Sequence, residues 1–201
     1  MDRHSRLDER GLKLPPGVAP FQAVILPIAA HKGNVMDTCH QAFEQLKQAG
    51  VRVKLDDRDN VSPGWKFNEW ELKGVPLRLE IGPRDIQNGV ASYMRRDTFE
   101  KGTLPLDKLA EGVKGLLNDI AREMFRIADE FRLSRTADVF NMEELGEQVN
   151  VGYARAMWCG SRECEDKIKD QTSASSRNMP FDQTPFAYKC VYRGEPAGRV
   201  M

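Results

Sequence analysis

Phe67 and Glu71 stand four residues apart in the run GWKFNEWEL, residues 64–72, so a helix there would set a ring and a carboxylate on one stripe. Arg78 follows in an alternating stretch, and Arg84 and Asp85 in a turn-rich one. A ring offers a stacking platform to an unpaired base, while arginines and carboxylates read base edges. These residues therefore suit recognition of single-stranded nucleic acid. The bland alternative is packing, and for Trp65 and Trp70, which flank Phe67, packing against a sheet is the cheaper explanation.

The second group with chemical potential is Cys159, Cys164 and Cys190. Three thiolates leave a tetrahedral zinc one ligand short, and the position three beyond Cys190 holds Arg193, whose guanidinium cannot ligate. Zinc remains open as a cofactor, against the alternative that these cysteines are small buried apolar residues. Cys39 lies apart within a helical pattern. None of His4, His31 and His40 pairs with a Ser or Cys in a nucleophile pattern, and Gly33, Gly82 and Gly89 do not form a phosphate-cradling loop. No self-contained active site is legible.

The 201 residues carry 30 basic and 30 acidic side chains, which removes the bulk positive field of a non-specific nucleic-acid binder. Between Val51 and Lys101 ten Lys/Arg meet nine Asp/Glu, a mixture better suited to reading base edges than to gripping phosphates. The sequence contains no apolar run of membrane-spanning length and begins without a secretory signal, so a cytoplasmic location is expected.

Several elements must position these groups. Residues 1–20 read as a linker, extended by Pro15, Pro16 and Pro20. The run AVILPI (23–28) has the continuous apolar character of a strand covered on both faces. Apolar spacing predicts a helix over 35–49 with Asn34 as its N-cap, and a second over 63–72 opened by Ser62 and Pro63. Strands are expected at 51–55, 75–81 and 90–96, with GPRDIQNG between the last two as a loop. A long helix follows from Leu106 to Phe131, capped early by Asp107. Alternating strands and helices over 21–134 give an α/β domain with a partly parallel sheet, and a smaller unit fills 135–201, with a short helix at 141–148 and a polar loop at 170–185.

The stretches LKLPPGVAPFQAVILPI, VKLDDRD, PGWKFNEWELKGVPLRLEIGPRDI and MRRDTFEKG, in this order, resemble the anticodon-binding domain of prolyl-tRNA synthetases of the archaeal and eukaryotic-like type. MWCGSRECEDKIKDQTSASSRNMPF and KCVYRGEPAGRVM resemble that family's extra C-terminal domain, which often carries zinc. The resemblance implies a mixed sheet of about five strands flanked by helices, then a small α+β domain. It implies that Phe67 stacks on a base of the tRNA(Pro) anticodon stem-loop, that Glu71 and Asp85 accept from guanine N–H groups, and that Arg78, Arg84 and Lys101 serve guanine's acceptor edge or nearby phosphates.

The partner implied is thus tRNA, with no DNA and no membrane. ATP and proline sites would belong to a catalytic domain outside these residues, which would dock to this chain in a homodimeric parent ligase, and the chain alone would be inactive. Zinc-bearing members have Cys-x2-Cys where Cys190 and Arg193 stand here. The competing expectation is a free-standing protein-interaction module on the same fold, without tRNA binding.

Overall fold

The run at 23–28 does become a strand covered on both faces: Ala23, Val24, Ile25 and Leu26 are all buried in β3, Ala23–Pro27. A computed structural model describes residues 7–201, so His4 lies outside the described residues. Ahead of β3 comes a small hairpin, β1 (Leu7–Asp8) with β2 (Gly11–Leu12). After it come α1 (Val35–Gln48), β4 (Val53–Leu55), α2 (Pro63–Leu72), β5 (Leu77–Ile81), α3 (Pro83–Gln87), β6 (Val90–Arg95) and β7 (Lys101–Pro105).

These strands form one five-stranded mixed sheet in the order β4-β3-β5-β6-β7, parallel around β3 and antiparallel from β5 outward. The crossover helices α1 and α2 permit the parallel pairs, while the segment holding α3 joins β5 to β6 and a turn over 96–100 joins β6 to β7. One face buries the main core, where Ile25, Leu77, Leu79 and Ile81 meet Val35, Cys39, Ala42 and Leu46 of α1. Leu109, Val113 and Leu117 of α4 (Leu109–Ser134) join them. The other face carries a smaller cluster of Val24, Leu26, Trp70 and Val75, which seats α2.

The chain divides into two compact units, residues 1–127 and 128–201, and the division falls inside α4. The second unit holds β8 (Thr136–Val139), α5 (Met142–Gln148), β9 (Tyr153–Trp158), α6 (Arg162–Thr172) and β10 (Arg199–Val200). Its three strands run in the order β10-β9-β8, with β8 and β9 parallel, and its core gathers Val139, Leu145, Ala156, Ile168 and Val191.

Several local expectations change. GPRDIQNG contains a five-residue helix rather than only a loop, because Pro83 starts it and Asp85 closes back on the Gly82 N–H. Asn34 makes no side-chain cap, and the long helix opens with a 3-10 turn at Leu106–Lys108. β7 escaped the periodicity because Gly102 and Pro105 interrupt it, as an edge strand tolerates. In residues 7–20 the path is not simply extended: the Val18 and Ala19 N–H groups donate to the Pro15 carbonyl in a turn, and Arg52 donates to the carbonyls of Pro16, Gly17 and Ala19.

Candidate nucleic-acid interface

Helix α2 starts as its sequence dictates, with the Ser62 hydroxyl accepting from the Trp65 N–H and Pro63 at the first helical position. It is fixed by more than apolar contact. The Trp70 indole donates to Asp56 Oδ2 at 2.8 Å, and Arg58 donates to both oxygens of the same buried carboxylate at 2.8 and 2.6 Å. Lys66 Nζ lies 3.8 Å from it. Burial pushes the Asp56 carboxyl up, yet the bonds from Arg58 and Trp70 and the Lys66 charge outweigh that and hold it well below the usual range.

Trp70 thus packs as expected, with Phe21 edge-on to its ring at 6.1 Å. Trp65 does not. It is 49% exposed, its ring under the Arg58 guanidinium rather than against the sheet.

The register of the sheet explains which residues meet on the α2 side. Arg78 of β5 pairs with Val24 on one flank and with Met94 on the other, and Met94 pairs with Lys101. Directly paired residues point to one face, so Arg78 and Lys101 share the face on which α2 lies. Two residues along, Glu80, Ser92 and Thr103 form the next row of that face. Helix α2 seats over Val24 and Leu26 of β3, and Lys101 and Thr103 at the far edge are exposed.

Arg78 is the centre of the arrangement. Its guanidinium carbon sits 4.1 Å from the Phe67 ring centroid. One amino group donates to Glu71 Oε1 at 2.8 Å and Nε donates to Glu80 Oε1 at 2.9 Å. Stacked and bidentate demands of this kind suit Arg and not Lys. Phe67, Glu71 and Arg78 are therefore brought together, with the ring half-buried rather than fully exposed.

Sequence reasoning missed Glu80, although its position two residues after Arg78 in an alternating strand placed it on the same face. Asp85 lies at α3 with both oxygens engaged, one accepting from the Gly82 N–H at 2.9 Å and the other from the Ser92 hydroxyl at 2.7 Å. Through Ser92 it borders the Glu80 row. Arg84 is exposed on the same helix, where its carbonyl accepts from the Asn88 N–H.

The hairpin β1–β2 flanks this cluster. Buried Arg96 donates to both oxygens of Asp8 at 2.8 and 2.6 Å, to the Gly11 carbonyl at 3.0 Å and to the Glu71 carbonyl at 3.0 Å. The bond from Arg96 holds the Asp8 carboxyl down at about 2 against the upward push of burial. Gly11, at φ +115°, lies so near Leu72 that a Cβ there would stand 2.5 Å from the Leu72 Cα. Only glycine fits.

In the second unit the three cysteines do converge. The sulfurs of Cys159, Cys164 and Cys190 all lie within 4.8 Å of one another, with Cys159 and Cys164 at 3.4 Å. Burial, then the Cys159 contact and the neighbouring sulfurs, pushes the Cys164 thiol up to about 12. Cys190 is also desolvated, but the backbone N–H groups of Arg193, Tyr192 and Cys159 bring it below its ordinary value. Amides aimed at a sulfur favour the thiolate, the form a metal binds. Three cysteines so placed could hold a metal ion. Arg193 turns instead to Glu163 in an ion pair. A cavity of about 620 Å³ in the same unit, lined by Leu145, Tyr153, Arg155 and Met201 among others, includes none of the expected site residues.

Comparison with known proteins accords with this geometry. Residues 22–116 match the anticodon binding domain family, and residues 142–201 match the family described as prolyl-tRNA synthetase, C-terminal. The chain carries an anticodon-binding domain followed by a prolyl-tRNA synthetase C-terminal domain. Curated relatives agree. Proline--tRNA ligase 2 of Clostridioides difficile (strain 630) is 51% identical over 196 residues, covering 96% of this chain and 41% of the relative. The proline--tRNA ligases of Alkaliphilus oremlandii and Acetoanaerobium sticklandii are each 47% identical over the same shares. The chain thus spans about two fifths of the length of the curated relatives it matches.

Within the anticodon-binding domain, half-buried Phe67, Glu71 and Glu80 gather around the buried Arg78 and, with the exposed sheet edge at Lys101 and Thr103, make up one shelf. Within the C-terminal domain, the cysteine trio is the feature with metal-binding capacity. Among the described residues no helix is long and apolar enough to cross a membrane.

Proposed function

We propose that this chain recognises the anticodon of tRNA(Pro) and supplies that specificity to a proline-tRNA ligase in the cytoplasm, with ATP-dependent aminoacylation carried out by ligase regions outside the aligned part. The observation that carries the reading is the Arg78 cluster: a ring, a guanidinium and two carboxylates gathered on a half-covered sheet face whose far edge carries Lys101. Phe67 supplies a half-buried ring for a base, backed by the buried Arg78 guanidinium. Glu71, Glu80 and Asp85 supply acceptors for guanine N–H groups, and Arg84 and Lys101 supply mobile cations at the border.

Anisotropy titration of a labelled tRNA(Pro) anticodon stem-loop tests this. The intact sequence should bind about tenfold or more tightly than one with its anticodon guanines replaced, since one good bidentate pair discriminates by about 1–3 kcal/mol. Equal affinity for the two RNAs would sink the reading.

We further propose zinc as the ion for the cysteine trio. Cys159, Cys164 and Cys190 would provide three thiolates, and the ion would supply a structural cross-link between the loop before α6 and the turn at 190–194. Metal analysis after expression without added zinc should find close to one equivalent, falling sharply in Cys190→Ser.

A further inference from the structure

One exposed cation beside the reader cluster is not among the residues considered so far. Arg10 sits between the strands of the N-terminal hairpin, with its side chain 59% exposed. Its backbone is held from both directions: its N–H donates to Asp8 Oδ1 at 2.9 Å, and the next residue, Gly11, is wedged onto Leu72. Asp8 is itself clamped by Arg96. The hairpin therefore presents Arg10 at a fixed place.

The side chain is oriented as well. Its guanidinium carbon lies 4.5 Å from the Phe99 ring centroid, and one amino group is 3.7 Å from Glu71 Oε2. Phe99 occupies φ +60°, a left-handed conformation unusual for an aromatic residue, on the turn between β6 and β7. Such strain persists where surrounding contacts enforce it and often marks a functional surface. Here it lays the ring beneath two arginines, Arg10 and Arg96. The resulting row, Phe99–Arg10–Glu71–Arg78–Phe67, continues the reader cluster toward the hairpin.

We propose that Arg10 binds an RNA phosphate adjacent to the anticodon base read at Phe67, an inference that rests on the anticodon reading of this face. One observation and two physical arguments select phosphate over a base edge. Glu71 already gives its close contact to Arg78, so the 3.7 Å approach leaves most of the Arg10 donors unspent. A guanidinium stacked on a ring turns its N–H edge outward, and that fork matches two phosphate oxygens. A base splayed onto the shelf also leaves its phosphates at the rim.

The test uses the full chain with the labelled tRNA(Pro) anticodon stem-loop and its guanine-replaced counterpart over a series of salt concentrations. If the unaltered chain fails to discriminate the two RNAs, the anticodon reading falls and this inference with it. Given discrimination, Arg10→Ala should bind both RNAs roughly tenfold more weakly while keeping the ratio between them. Its plot of log affinity against log salt should flatten by about 0.7, the loss of one single-strand phosphate contact. Arg10→Lys should restore most of that slope, and an unchanged melting curve for both variants separates the effect from misfolding. Wild-type affinity and slope in Arg10→Ala would overturn the phosphate assignment while leaving the anticodon reading intact. A collapsed discrimination ratio would overturn it too, by making Arg10 a base reader.

Discussion

The two faces of the five-stranded sheet are built from the same strands and do opposite work. Toward α1 and α4, alternate residues of β3, β5 and β6 are Ile25, Leu77, Leu79, Ile81 and Ala91, all fully buried. Toward α2, the positions between them are Val24 and Leu26, then Arg78, Glu80, Ser92 and Met94. The pleat lets one strand contribute a Leu to the apolar core and an Arg to the polar cluster beneath α2 at consecutive positions. Stability and recognition are thereby separated by strand parity, and single substitutions should separate them too.

The sharpest break is on the apolar face. Leu79→Ala should lower unfolding free energy by about 2–5 kcal/mol in urea titration, the range for a buried Leu leaving a cavity, while the folded protein keeps its preference for the guanine-bearing stem-loop. On the other face Glu71→Gln should cost about 1–3 kcal/mol of discrimination between stem-loops with a much smaller change in the urea midpoint. If Glu71→Gln instead unfolded the chain and spared discrimination, the division between the faces would be wrong.

Acid sharpens the comparison, because the most strongly depressed carboxyls lie on the α2 side. Asp8 has a folded pKa of about 2 against an ordinary value of 3.8, and Asp56 is depressed further. A depressed carboxyl binds its proton more readily in the unfolded chain, so its contribution is complete above the ordinary value and is lost as pH falls through the folded one. Stability should therefore fall as pH drops below about 4, and Asp8→Asn should be less stable at neutral pH with a shallower acid decline. The smallest effect belongs to Lys101→Ala, expected to weaken RNA binding by about threefold at low salt and less at high salt, with discrimination and melting curve unchanged.

Much of the fold was legible because burial imposes period. The stripe of Met36, Cys39, Ala42, Phe43, Leu46 and Ala49 predicts α1 to within one residue, and Ser62-Pro63 announces α2. Elements without a stripe were not legible. Helix α3 is five residues long, and the segments at β8, β9 and α6 alternate charge with short apolar runs that match no single period. At the candidate site, Phe67, Glu71 and Arg78 could be grouped because helix and strand spacing place them locally. Asp8 and Arg96 could not, since 88 residues separate them and nothing in either neighbourhood reports the other. Asp56 reads as one acid among three in DDRD, and only folding chooses it for the Trp70 indole.

Arg96 joins two elements with one planar group: the hairpin, at the Asp8 carboxylate and the Gly11 carbonyl, and the last turn of α2, at the Glu71 carbonyl. Peeling the hairpin away would strand a guanidinium in the interior, so the strap and the reading helix respond to load as one body. Traction applied along residues 7–12 is thus delivered first to the residue that carries the Glu71 carboxylate, a short lever between the chain's N-terminal segment and the shelf where a nucleotide would rest.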